Sequence, residues 1–417
     1  MEKLSHSEVI NLLLQLAIML ITARVFSEIV RKFKQPSVVG EILAGVILGP
    51  TVFGMIAPDT FQNLFPVFGN SAVVLDGFIQ VAVVLLLFIA GIEVELDIVW
   101  QQGKKALWTS MGALLIPFAL GFIVPYIWPS FFGIESYNQR IVFSLFVGTT
   151  LSITALPVIA RILMDLNIFK SKMGMLVIAS AMIIDILGWL IFSVILSMMG
   201  SEKHISIGST IALTLGFTLL MLTVGKAIFN RVLPWINRFL AWPGGLLSLA
   251  LALCFIAAAF TEYIGIHAIF GAFIIGVALG DSEHFSERAK EIVHQFINNI
   301  FAPLFFVSIG LFTNFINSFN FPLVMVIVVL AFAGKITGAA LGARVAGMNR
   351  LQSLTVGFGM NTHGTLEVIL GAIALNAGLI NDELFVAIVV MVLVTILVSA
   401  PLMKYLLTLL QKKGQSF

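Results

Sequence analysis

Apolar runs of about 20 residues, bounded by charges, Gly or Pro, recur along nearly the whole chain. A run of that length crosses the hydrocarbon of a bilayer as one helix. The pattern predicts thirteen spans, near 9–31, 36–57, 72–92, 105–128, 140–164, 173–199, 207–230, 244–263, 265–280, 296–316, 321–347, 352–379 and 383–410. The connections are short. The longest are 58–71, 129–139 and 281–295, and the last, DSEHFSERAKEIVHQ, is expected to form a short amphipathic cytoplasmic helix. The expected fold class is an all-α polytopic membrane protein.

Lys and Arg positions test that count, because cytoplasmic loops carry the excess of positive charge. With the N-terminus outside and the C-terminus cytoplasmic, 18 lie on the cytoplasmic side and 3 opposite, with Arg24 and Lys335 inside spans. A wrong number of spans would scramble this alternation.

Composition agrees. Of 417 residues, 59% are hydrophobic and 11% charged, with a mean hydropathy of +1.08. A soluble chain carries roughly 25% charged residues. Net charge is +2, and no basic cluster interleaved with aromatics suggests a nucleic-acid partner. The single Cys254 excludes a disulfide framework and a cysteine metal site within one chain. The start, MEKLSHSEVI, lacks a signal-peptide pattern, so the first run is expected to be a retained span. No nucleotide-binding cassette or phosphate loop is present, which argues against primary ATP-driven transport. Nor is there a nucleophile–base set or HExxH spacing, so no enzymatic activity is expected.

Four places are chemically expensive at depth. Asp185 stands mid-span in AMIIDILGWLIF (181–192); an ionised Asp at the bilayer centre costs about 2.5–3.5 kcal/mol even on the insertion scale. Lys335 stands mid-span in VVLAFAGKITGAALGAR, too far from either end to snorkel easily. In LSITALPVIARIL (151–163), Ser152 and Thr154 precede Pro157, which has no N–H to donate. In FGMNTHGTLEVIL (358–370), Asn361, Thr362, His363, Gly364 and Glu367 interrupt an apolar run. Irregular backbone at that depth is tolerated only inside protein or beside a water-filled cavity.

These places form a pattern. One broken span is followed by the Asp-bearing span, and the other is preceded by the Lys-bearing span. Two interrupted spans in corresponding halves point to inverted repeats with a substrate site at the midplane. Spans four to six and eleven to thirteen would form one bundle around Asp185, with two discontinuous crossed helices.

The segments QPSVVGEILAGVILGP (35–50), VVLLLFIAGIEVEL (83–96), YIGIHAIFGAFIIGVALG (263–280), PLFFVSIGLFTNF (303–315) and GMNTHGTLEVIL (359–370) carry a family resemblance. In this order they resemble the membrane domain of monovalent cation:proton antiporters of the second branch, the Kef/Nap type. The resemblance implies a homodimer in a bacterial plasma membrane, with a core that moves like an elevator against a dimerisation domain. It assigns 1–103 and 241–320 to dimerisation, 104–200 and 321–417 to the core, and 201–240 to a linker helix. It also implies that Asp185 binds the ion, as the seat of a monovalent cation or a proton. Ser152 and Thr154 belong to the first break and Asn361 and Thr362 to the second. Lys335 and Glu367 become coupling or charge-balancing groups.

Two positions depart from the family pattern. Ile184 replaces the acid or Gln that precedes the Asp in other members, which leaves the partner of Lys335 open between Glu367 and Asp185. His363 replaces an Arg, and is either a pH sensor or a structural histidine.

The resulting expectation is Na+/H+ or K+/H+ exchange, one-for-one and electroneutral. Na+ or K+ and H+ are cargo, no cofactor is needed, and lipid is the surrounding partner. The alternatives are a channel-like cation pathway and a non-transporting ion sensor on the same scaffold.

Overall fold

The computed structural model describes all residues except 1–3, 34, 36, 67, 95, 135–136, 167, 170, 199–206, 240–242 and 414–417. It is helical throughout, and the chain divides into two units.

One unit comprises Met1–Val94 and Gly208–Ser318. Its first part holds α1 (His6–Lys32), α2 (Ser37–Leu48), α3 (Phe53–Ile56), α4 (Pro58–Leu64) and α5 (Asn70–Ile92). Its second part holds α10 (Ile207–Leu220), α11 (Lys226–Phe239), α12 (Gly244–Tyr263), α13 (Ala268–Gly280) and α14 (Glu287–Phe312). A π-helical turn, Met221–Gly225, joins α10 to α11. Ser5 and Glu8 close a capping box at the start of α1, satisfying end groups that would otherwise lack partners. Glycines let backbone approach backbone closely. Gly45 of α2 meets the backbone of Val307 in α14, and Gly91 of α5 meets that of Phe273 in α13. Such small-residue contacts let helices approach closely where the hydrophobic effect cannot drive association.

The other unit comprises Glu95–Ile207 and Phe319–Phe417. Its helices are α6 (Leu96–Ile127), α7 (Tyr137–Ser152), α8 (Leu156–Asp165), α9 (Lys172–Met198), α15 (Phe321–Val345), α16 (Arg350–Met360), α17 (Thr365–Asn376) and α18 (Asp382–Lys412). α6 bends at Gly103, whose φ of 51° suits a residue without a Cβ. Beyond that bend, Gly112 packs on the Gly338 backbone of α15.

Ten helices among the described residues are long and apolar enough to cross a membrane, rather than the thirteen expected. This is an integral membrane protein. The shortfall has a local cause at each place. The stretch 140–164 is divided into α7 and α8, 352–379 into α16 and α17, and 265–280 yields only the 13-residue α13. A second difference concerns 281–295, which is not a separate cytoplasmic helix. α14 starts at Glu287 behind the cap of Ser286 and continues unbroken to Phe312. Charge density marks where a helix leaves hydrocarbon; it does not interrupt the backbone ladder.

Candidate ion-binding site

Two helix breaks meet inside the second unit. The first separates α7 from α8 at residues 153–155, and the second separates α16 from α17 at 361–364. Pro157 lies in the first turn of α8, where a missing N–H breaks no helical hydrogen bond. It therefore marks the start of a half-helix rather than a kink within a continuous one. The breaks are hydrogen-bonded to each other. Ala155 N–H donates to the Thr362 carbonyl at 2.8 Å, and the Thr154 hydroxyl donates to the Met360 carbonyl at 3.2 Å. The Cβ that Gly364 lacks would fall 2.6 Å from Ala155 Cβ. A side chain there would push the breaks apart.

The ends of these half-helices expose backbone groups that need partners. The Lys335 ammonium, fully buried on α15, donates to the carbonyls of Ser152 and, at 3.0 Å, Ile153. It caps the negative end of the α7 dipole. The next carbonyl back, that of Leu151, accepts from His363 Nε2 at 3.3 Å. At the positive end of α17, Glu367 Oε2 accepts from Gly364 N–H at 2.7 Å. The question of the Lys335 partner thus gains an answer that residue types did not suggest, since its hydrogen bonds go to backbone carbonyls. The carboxylates whose field reaches the amine are Glu367 and then Asp185.

Asp185 sits midway along α9 and is 2% exposed. Gly188, three residues on and so on the same helix face, lies against the Ile153 side chain. That face of α9 therefore meets the first break. Ser152, Thr154, Lys335, Asn361, Thr362, His363 and Glu367 are all fully buried. The Ser152 hydroxyl lies within reach of the Gly148 and Leu114 carbonyls, at 2.6 and 3.0 Å, and that of Thr362 donates to Gly359 at 3.1 Å. Three acceptor-type atoms in the second break and the first turn of α17 make no hydrogen bond among the described residues: Asn361 Oδ1, His363 Nδ1 and Glu367 Oε1. The eight residues singled out from the sequence thus gather at one crossing.

Ser399 on α18 was not among them. Its hydroxyl contacts both the backbone and the side chain of Asn361. A lone Ser in an apolar helix usually bonds its own preceding turn, so the sequence carries little signal for it. Among the described residues, no group of three or more His, Cys, Asp or Glu forms a multivalent-metal site.

A helical membrane protein whose two interrupted helices cross at buried charges has the architecture of an ion-coupled secondary transporter. The family described as Sodium/hydrogen exchanger, transmembrane, matches residues 16–408, and this chain belongs to it. It is similar to the Na(+)/H(+) antiporter NhaS4 of Synechocystis sp., with 30% identity over 389 residues, 91% of this chain and 93% of that protein. It is also similar to the Na(+)/H(+)-K(+) antiporter GerN of Bacillus cereus, with 27% identity over 392 residues, 94% and 95% of the two chains. In fold it resembles the sodium proton antiporter MjNhaP1 from Methanocaldococcus jannaschii, solved at pH 8. The TM-score is 0.66 with 15% identity, covering 96% of this chain and 98% of that one.

Proposed function

We propose that this chain exchanges protons for a monovalent cation, Na+ or K+, with Asp185 as the shared seat of both. One observation carries the reading. Two half-helix ends hold one buried ionisable group each, Lys335 on the carbonyls of α7 and Glu367 on the N–H of α17, beside a third, Asp185, on α9. In this reading Lys335 stays protonated and Glu367 stays ionised through the cycle, so that the two charges oppose one another. Asp185 is left as the charge that must be neutralised before the site crosses the barrier, since an uncompensated charge in hydrocarbon is costly. One proton or one cation suffices, so exchange is one-for-one and electroneutral.

Alternating access follows if the unit bearing the crossed helices moves as a body, in the manner of an elevator. The protein is a homodimer in this reading. Its N-terminus is outside and its C-terminus cytoplasmic, as the 18-to-3 distribution of Lys and Arg supports. The names of NhaS4 and GerN support Na+ and K+ as the cations to test first. Hydroxyl and carbonyl oxygens of Ser152, Thr154, Asn361 and Thr362 are the hard ligands that replace part of the hydration shell.

The test is Asp185→Asn in proteoliposomes carrying a pH dye. We expect cation-dependent proton movement to vanish while the protein still assembles and melts cooperatively. Retained exchange in this variant would overturn the assignment. Single-channel currents from the unaltered protein would identify a channel instead.

A further inference from the structure

The Asn361 amide has a defined orientation, and its cause lies on a different helix. Ser399 Oγ is 2.9 Å from the Asn361 backbone carbonyl, which has no proton, so the hydroxyl must donate there. A serine hydroxyl has a single proton. Toward the Asn361 side chain it is therefore an acceptor only. The amide must present Nδ2 to it, at 3.3 Å, and turn Oδ1 the other way. That oxygen is fully buried and makes no hydrogen bond among the described residues.

Two further observations give this weight. A serine inside a helix ordinarily returns its proton to its own preceding turn; Ser399 sends it to α16. Asn361 is also the C-cap of α16, at the end where unpaired carbonyls gather and the helix dipole is negative. A buried amide oxygen without a partner is costly. A cation passing the second break would remove that cost.

We propose that Ser399 is a positioning residue, holding Asn361 so that its side-chain oxygen serves as a ligand to the transported cation. This rests on the exchange reading above. It adds to that reading a residue on α18 that touches no ion and sets the affinity for it.

The experiment is a double-mutant cycle of Ser399→Ala and Asn361→Ala, with Ser399→Thr as the conservative variant, in proteoliposomes titrated with Na+ and with K+. Ser399→Ala is expected to raise the apparent KM for the cation about fivefold, the worth of one hydrogen bond, with maximal flux nearly unchanged. Ser399→Thr keeps the hydroxyl and restores the KM. The double variant should bind no more weakly than Asn361→Ala alone, because Ser399 acts only through Asn361. An unchanged KM in Ser399→Ala, equal impairment in Ser399→Thr, or additive losses in the double variant would each overturn the proposal. Where Ser399→Ala fails to assemble, Ser399→Cys, a near-isosteric weak donor, carries the same comparison. If Asp185→Asn is inactive while Ser399→Ala keeps the unaltered KM, this inference fails and the exchange reading stands.

Discussion

The backbone N–H of Ala155 donates to the carbonyl of Thr362 at 2.8 Å, so the start of one half-helix is hydrogen-bonded to the break in another. Each break leaves backbone groups that no lipid can satisfy. Here the two breaks satisfy part of each other's need, and Lys335, His363 and Glu367 satisfy more. The crossing is a mutual arrangement of backbone, with side chains closing the gaps.

Space at that junction is the first thing to test. Gly364 has an extended φ of −167°, which any residue adopts, so its requirement is for room and not for backbone freedom. Its absent Cβ would lie 2.6 Å from Ala155 Cβ. Gly364→Ala is expected to destabilise the protein by about 1–3 kcal/mol, the usual cost of overpacking, and to remove most flux. Removing the opposing methyl in Gly364→Ala/Ala155→Gly should recover both. Thermal melting in detergent and a proteoliposome flux assay read the pair. A double variant no better than the single would show that the two methyls do not oppose each other.

Lys335 makes a separate prediction because its amine serves the carbonyls of Ser152 and Ile153. Lys335→Met leaves both without this donor inside the protein. Each unsatisfied buried group costs about 1–3 kcal/mol, so the melting temperature should fall clearly. Lys335→Gln retains an N–H donor and should recover part of the loss while staying uncharged. Equal melting of the Met variant and the unaltered protein would mean that the carbonyls find other donors.

Much of this site is legible in the sequence, for identifiable reasons. Asp185 and Lys335 stand out because single charges in apolar runs are costly and need a reason. Residues 361–367 stand out because so many polar groups cannot lie on a lipid-facing helix. What the pattern hides is where backbone groups fall open. Every residue has a carbonyl, and those of Leu151, Ser152 and Ile153 become acceptors for side chains only because the helix ends there. Lys335 was therefore expected to seek Glu367 or Asp185, and the carbonyls it caps were invisible. Ser399 is hidden for a related reason, since a hydroxyl carries no cost that betrays where its proton goes. The continuity of α14 is hidden because SERAKEIVHQ has the charge of a loop-side helix, whatever follows it.

The last prediction concerns charge movement. Lys335 and Glu367 lie against the ends of α7 and α17, and in the proposed cycle Lys335 stays protonated and Glu367 stays ionised. Asp185 then alternates between one proton and one cation, and the loaded site is neutral in both directions. An imposed potential should leave the exchange rate unchanged, measured with a permeant anion that sets the potential without supplying a transported cation. A full charge crossing 100 mV gains about 2.3 kcal/mol, so a cycle moving net charge would respond many-fold. Lys335→Gln removes one fixed positive charge and leaves the loaded site negative in both half-cycles. That variant, where it still transports, should acquire a dependence on potential that the unaltered protein lacks. Strong potential dependence in the unaltered protein would instead overturn one-for-one exchange and mean that a second group, Lys335 or Glu367, changes its proton during the cycle.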